Sequence, residues 1–527
     1  MTPRPGTTDL LFFAYVLTAA GVLAGRYFSG ARLMRMIASP LYAIPTFLIA
    51  IIVFKILGLI FGFDVMPGPS RYVSGPQVDE WFRPLFFFLV GGLAGRGLAG
   101  PSLAHKRGTL LESTAWGLRR LRKPRGVTLA GQPLDPADET KHFKMIGTTG
   151  TGKSTAIFEL LAGALQRGDR AVIADPDGSY LNAFYDPKKG DQILNPFDPR
   201  AARWDLFGEM HTPYDADQLA RSLIADIEGT ERNWRQYARI FLSSVLRQLH
   251  RVNHNDLAEL YRLLSTTPVN DLRELLEDTP AGPYLSQDNG KFFGAVRAVA
   301  NTHLAALEQI AQQTTGDRLS VRNWVKAGQS GRRPILFFPY HANEIASLRG
   351  LISTWMRLAI YETMSQREGG RGADQRLWFI IDELDALGPI DGLKDALARL
   401  RKFGGRCVLG FQSIAQVSGT YGHAEAQTIV ENCGNTLILR CSSSENGGTA
   451  RFASKLIGER EITREHVTTN DGGGMFSRGH ASTTKSLQHV TEAAVLPSEI
   501  EQLPDLQGFL KFASAPEWRR VQLRVPS

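Results

Sequence analysis

Cysteine is nearly missing from this 527-residue chain. Cys407, Cys433 and Cys441 are the only three, with no CxxC spacing and no Cys/His cluster. That excludes a disulfide scaffold and a zinc module, and it suits a reducing compartment. No catalytic triad, metalloprotease constellation or internal repeat is found either. A strong charge of one sign is also lacking: 60 Lys and Arg against 52 Asp and Glu leave +8. An excess that small suggests contact with a polyanion or an anionic membrane without establishing either. Core-building material is not short, since 43% of residues are hydrophobic and 21% charged, which excludes a disordered or fibrous chain. At about 150 residues per domain, the length predicts three or four structural units.

Long apolar runs crowd into roughly the first hundred positions. Residues 10–25 form an uncharged run ending at Arg26, 41–63 a longer one with Lys55 as its only charge, and 84–95 a third rich in Phe. A membrane-crossing helix needs about 20 residues, so the second run qualifies and the other two are short. Arg26, Arg32 and Arg35 separate the first two runs, acids outweigh Arg71 in 64–81, and seven basic residues follow within 106–125. By the positive-inside rule the 64–81 loop is then outside and the bulk of the chain cytoplasmic. Runs two and three span; the first is either a third span or an interfacial anchor. Competing readings are a cleaved signal peptide over 10–24 and a buried soluble helix for the Phe run. The basic stretch reads as a topology signal or as a lipid-head contact.

The sharpest local signal is Gly147-Thr148-Thr149-Gly150-Thr151-Gly152-Lys153-Ser154, a G-x-x-x-x-G-K-[ST] loop between an apolar strand candidate (142–146) and a helical stretch opening at Thr155. Glycines let backbone N–H groups turn inward around a phosphate, and the next helix adds its positive dipole end. Lys153 then reaches the β- and γ-phosphates of ATP, and the Ser154 hydroxyl ligates Mg2+. The loop needs an acidic partner at a strand end. Five apolar residues, 377–381, deliver Asp382 and Glu383 there, for the metal shell and for a general base. Other strand candidates are 170–174, 334–338, 406–410 and 435–439. Gln412 ends one of them, either as a γ-phosphate sensor or as an ordinary strand-terminating residue. The expected helix 390–402 carries Arg401 near its end, read either as an arginine finger for a neighbouring subunit or as a cation favourable to the helix dipole.

Between the loop and its acids, residues 204–319 switch to three- and four-residue apolar spacing over 216–227, 238–249, 257–264, 272–276 and 292–310. This predicts an inserted all-α unit. Its arginines (Arg232, Arg235, Arg239, Arg247, Arg251) read equally as a DNA face or a solvated surface. Residues 468–486, with three consecutive glycines, read as a mobile loop.

In this order, GTTGTGKST, IADPDGSYL, ILNPFDPRAARWDLF, NWRQYAR, FIIDELDAL, LGFQSIAQ and LPDLQGFLKFA resemble type IV coupling proteins of the TrwB/TraD kind, from about Lys141 to Leu523. The resemblance implies an α/β fold: a RecA-like P-loop nucleotide-binding domain (105–203 and 320–527) with an inserted all-α domain (204–319), preceded by transmembrane helices in 1–104. It implies a multi-pass protein of the bacterial inner membrane. There it would act as a hexameric, DNA-dependent ATPase linking the relaxase-bearing relaxosome to a type IV secretion channel, and moving single- or double-stranded DNA. The nucleotide would lie between subunits, with Gln412 matching the sensor glutamine, Arg401 the trans-acting arginine, and Trp234 a DNA- or ring-lining position. The family usually has two spans, so residues 10–25 depart from it. A long acidic tail is absent, so recruitment of relaxosome proteins by that route is not expected. The alternatives are a substrate receptor for secreted proteins and an FtsK-like duplex translocase.

Overall fold

The computed structural model describes residues 7–28, 39–61, 82–97, 104–112, 126–225, 229–313, 315–328, 333–365, 376–444, 447–470 and 482–525. It divides into two compact units, one of residues 1–106 with 461–490, the other of 107–460 with 491–527.

In the first unit each apolar run forms a helix: α1 (Thr7–Phe28), α2 (Ser39–Phe61) and α3 (Phe82–Gly97). Glycines let α1 and α3 meet backbone to backbone: a Cβ on Gly21 would lie 2.2 Å from the Phe88 carbonyl oxygen, and one on Gly91 2.3 Å from that of Thr18. Outward-facing Phe12, Phe13, Ile49, Ile52, Leu89 and Leu93 are exposed. Among the described residues, however, no helix is long and apolar enough to cross a membrane, so the expected spans are not found. The longest uncharged stretch with described side chains, 12–25, falls short of the required length. The charges at 32, 35 and 64–81 lie outside the described residues. A three-stranded sheet pairs Ala104–Gly108 with Glu459–Asn470, and that strand with Ser482–Ala493. This corrects one expectation at its edges: the Thr-rich ends of the expected loop, 468–470 and 482–486, are strand, while 471–481 lie outside the described residues. The start of the basic stretch is strand.

The second unit is built on a ten-stranded sheet. Its strands are β1 (Leu110–Glu112), β2 (Phe143–Ile146), β3 (Arg170–Pro176), β4 (Gln192–Ile193), β5 (Ile335–Tyr340), β6 (Leu377–Ile381), β7 (Gly405–Phe411), β8 (Asn435–Ile438), β9 (Gln507–Lys511) and β10 (Glu517–Gln522). Their order is β1-β10-β9-β8-β2-β7-β6-β3-β5-β4. From β8 to β4 every pairing is parallel, while β9 runs antiparallel to both β8 and β10. The central parallel strands are buried along almost their whole length, which is why they read as unbroken apolar runs. Side chains alternate between two cores. Phe143, Met145, Trp378 and Ile380 pack on one face with Ala156, Ile157, Leu160 and Leu161 of α4 (Lys153–Arg167); Ile146, Phe379 and Ile381 face the other. That second core is continuous with the helices α5 (Pro213–Leu223), α6 (Arg232–Arg251), α7 (Leu257–Ser265), α8 (Val269–Leu276) and α9 (Gly290–Gln312). Helix α10 (Ile345–Ser365) lies between these helices and the sheet, contacting β3, β5, α5 and α9.

Candidate nucleotide site

Parallel strands deliver their C-terminal ends to one edge of a sheet, and here that edge gathers the predicted residues. Strand β2 runs into the glycine-rich loop, β7, beside it, ends at Gln412, and β6, next again, ends at Asp382 and Glu383. The loop folds as its composition requires: Gly150 (φ 78°) and Gly152 (φ 111°) occupy left-handed conformations that favour glycine. A Cβ on Gly152 would also press within 2.8 Å of Leu506 Cδ2 and 2.9 Å of Leu523 Cδ1. The loop is tied down by its neighbours, with Thr148 N–H donating to the Arg440 carbonyl (2.9 Å) and Leu506 N–H to that of Thr151 (3.0 Å).

Lys153 is buried at the start of α4, its Nζ donating to the carbonyl oxygens of Gly147 (2.6 Å) and, at longer range, Thr148 (3.4 Å). Burial lowers its pKa against the pull of Asp382 and Glu383. Ser154 donates to Asp382 Oδ2 at 2.6 Å. Thr155, half-buried, follows in the same helical turn. Asp382 is only 3% exposed, and its second oxygen, Oδ1, has no hydrogen-bond partner. Gly410 gives this carboxylate its room: a Cβ there would sit 2.2 Å from the Asp382 carbonyl oxygen and 3.1 Å from Oδ1. Gln412 bridges the loop to the acids, accepting from Thr149 Oγ1 (3.0 Å) and donating to Glu383 Oε1 (3.3 Å). Burial, then the adjacent Asp382 charge, raises the Glu383 pKa, in the direction that suits a proton acceptor.

Three further residues at this edge were given no role by the sequence. Asp175, near the end of β3, accepts from the N–H groups of Tyr180 (3.1 Å) and Leu181 (2.7 Å), and burial lifts its pKa to about 6. Tyr180 donates to Asp382 Oδ2 at 2.9 Å. Tyr340, ending β5 and 4% exposed, keeps a hydroxyl without a partner. Its pKa is pushed up by burial first and then by Glu383 and Asp382. The strand end at Asp175 was visible in the sequence; which side chains meet there is set by strand order.

Arg401 is not brought to this site. It is exposed in a single 3-10 turn (Arg401–Phe403) after α11 (Leu393–Leu400), just before β7 and so at the opposite end of the strands. Trp234 is half-buried at the start of α6, packed with Tyr237 and Phe292, and Tyr284 joins the same cluster.

Among the described residues no group of three or more His, Cys, Asp or Glu is placed to hold a metal. The site instead offers one hydroxyl and one carboxylate with an orphaned oxygen. That donor set fits Mg2+, which takes one or two protein oxygens and fills its shell with phosphate and water. A parallel sheet carrying a glycine-rich loop, lysine, serine and strand-end acids at one edge defines a P-loop nucleotide-binding protein of RecA-like α/β fold.

Residues 126–524 match the family model of the type IV secretion-system coupling protein DNA-binding domain. The chain is 30% identical over 395 residues to the coupling protein TraD of Escherichia coli K12, covering 75% of this chain and 54% of TraD. It is 24% identical over 404 residues to the conjugal transfer protein TraG of Escherichia coli, covering 69% and 62%. The chain thus spans little more than half the length of these relatives. The solved conjugative coupling protein TrwBdeltaN70 superposes with a TM-score of 0.70 at 32% identity, covering 81% of this chain and 96% of that one. TrwB in complex with an ATP analogue scores 0.69 at 31% identity, with the same coverage. TrwB with ADP and Mg2+ scores 0.66 at 32%, covering 77% and 90%. This chain belongs to the type IV secretion-system coupling protein family.

Proposed function

We propose that this chain is an ATP-driven DNA translocase that feeds a conjugative type IV secretion channel. The observation that carries the reading is the convergence of Lys153, Ser154, Asp382, Glu383 and Gln412 at the ends of three adjacent parallel strands. In this reading residues 147–152 wrap the ATP phosphates with backbone N–H groups, and Lys153 exchanges its carbonyl partners for the β- and γ-phosphates. Ser154 and Asp382 hold Mg2+, which when bound supplies charge neutralisation on those phosphates. Glu383 takes a proton from the water attacking the γ-phosphorus, and Gln412 links that event to the loop through Thr149.

Arg401 lies at the opposite end of the strands, so it reaches a nucleotide only from a neighbouring copy; this supports a ring, with six subunits expected from the family. The 204–319 block, as the all-α domain, meets DNA through Trp234 and its aromatic neighbours, where stacking tolerates any base. Helices α1–α3, with their exposed apolar side chains, attach the protein to the inner membrane. The relaxosome and the secretion channel are the partners such a motor connects.

The test is ATP hydrolysis by the purified chain with and without single-stranded DNA at low salt. DNA should raise the rate, and the effect should fade steeply as salt rises. A rate indifferent to DNA would instead favour a receptor for secreted proteins. Arg401→Ala should depress hydrolysis by the assembled ring while leaving nucleotide binding to single chains untouched.

A further inference from the structure

The metal-shell carboxylate has a partner that the reading above does not use. Asp382 Oδ2 accepts two hydrogen bonds, from Ser154 Oγ (2.6 Å) and from the Tyr180 hydroxyl (2.9 Å). An sp2 carboxylate oxygen has two lone pairs, so Oδ2 is saturated, and the orphaned Oδ1 is the one oxygen left to meet the shell of an ion. The Ser154 proton, committed to Oδ2, also leaves that hydroxyl's lone pairs free for a metal.

Tyr180 is built to stay where it is. Its side chain is completely buried, and its ring stacks on Phe158 with centroids 4.5 Å apart and planes 21° apart. Phe158 stands four residues after Ser154 on the helix that follows the loop, so one helical face supports both donors to Asp382. The backbone N–H of Tyr180 is held by Asp175 (3.1 Å). The hydroxyl thus arrives at Asp382 from a scaffold fixed by the phosphate loop's own helix and by a neighbouring strand.

We propose that Tyr180 is the positioning residue for Mg2+ in this protein, holding the Asp382 carboxylate in the one rotation that presents Oδ1 to the ion. The proposal rests on the nucleotide-site reading above. Outer partners of metal-binding groups typically alter metal affinity about 10- to 100-fold when removed. Tyr180→Phe deletes only the hydroxyl and keeps the stacked ring.

The experiment is equilibrium binding of a fluorescent ATP analogue to the full-length chain, titrated with Mg2+ and repeated in EDTA. Tyr180→Phe should raise the half-saturating Mg2+ concentration at least about 10-fold, while binding in EDTA and the melting temperature match the unsubstituted chain. Superimposable Mg2+ curves, or an equal loss with and without Mg2+, would overturn the proposal, since the second result is what a merely structural role predicts. Asp382→Asn separates this from the underlying reading. If it abolishes the Mg2+ dependence while Tyr180→Phe changes nothing, only the role of Tyr180 falls. If Asp382→Asn leaves the Mg2+ curve intact, the site assignment itself fails.

Discussion

The two ends of the parallel strands carry similar residues and treat them in opposite ways. Where the strands end, Asp382, Glu383 and Asp175 crowd together, Asp382 Oδ1 and the Tyr340 hydroxyl lack partners, and the Glu383 carboxyl is pushed up. Where they begin, acids and bases are paired off. Glu139 accepts from both Arg167 (2.6 and 2.9 Å) and Arg406 (2.8 Å), Asp169 meets Arg167 and the Trp378 indole, and His142 sits between the Leu397 carbonyl (2.9 Å) and the Cys407 N–H (3.0 Å). Burial works to raise both Glu139 and Glu383, but the two arginines outweigh it at Glu139 and hold that carboxyl low. Burial alone therefore does not mark a functional carboxylate. Incomplete pairing does, because unspent hydrogen-bonding capacity is what a ligand can use.

The contrast predicts that the two ends separate under mutation, one losing chemistry and the other stability. Lys153→Ala should lower ATP hydrolysis by about 10³-fold or more and leave the melting temperature alone. Arg406→Ala should do the reverse, costing about 3–5 kcal/mol in denaturant titration because Glu139 keeps a buried charge with one partner fewer; a lowered kcat per folded molecule would break the comparison. Glu383→Gln should reduce kcat by about 10²-fold or more with nucleotide affinity retained.

A pH experiment sharpens the paired end. Burial, helped by the Arg406 and Arg401 charges, lowers the His142 pKa from 6.5 to about 4, and its Nδ1 accepts from the Cys407 N–H. A depressed histidine stabilises the fold above the unfolded value, and that contribution is lost as pH falls from about 6.5 through about 4, up to roughly 3 kcal/mol. His142→Asn, chosen because asparagine tolerates the positive φ of 55° at this position, should flatten the stability profile across that window. The smallest effect belongs to Gln412→Ala, which removes one bridge between loop and base and should slow turnover only several-fold.

Much of this was legible before the structure. The strand 377–381 matches the expected one residue for residue, because a strand buried on both faces leaves an unbroken apolar signature. The phosphate loop was legible because its glycines and lysine answer to local backbone geometry. Helix starts were less so. Helix α5 begins at Pro213 rather than 216 because Thr212 and Asp215 form a capping box there, and α11 begins at Leu393 rather than 390 because Gly392 takes a left-handed φ of 74° beneath the Tyr361 hydroxyl. Strands β9 and β10 were missed because Lys511, Glu517, Arg519 and Arg520 break their apolar pattern. Tyr180 and Tyr340 were out of reach because no spacing reveals which neighbouring strand a tyrosine will face.

The leucines that crowd Gly152 carry a consequence for how the molecule is made. Leu506 and Leu523, which wall the nucleotide loop, are synthesised long after the loop itself has left the ribosome. A nascent chain therefore holds its apolar N-terminal helices and most of its sheet before the loop gains its final support. Translation order alone therefore delays the final packing of the loop until nearly every strand is in place.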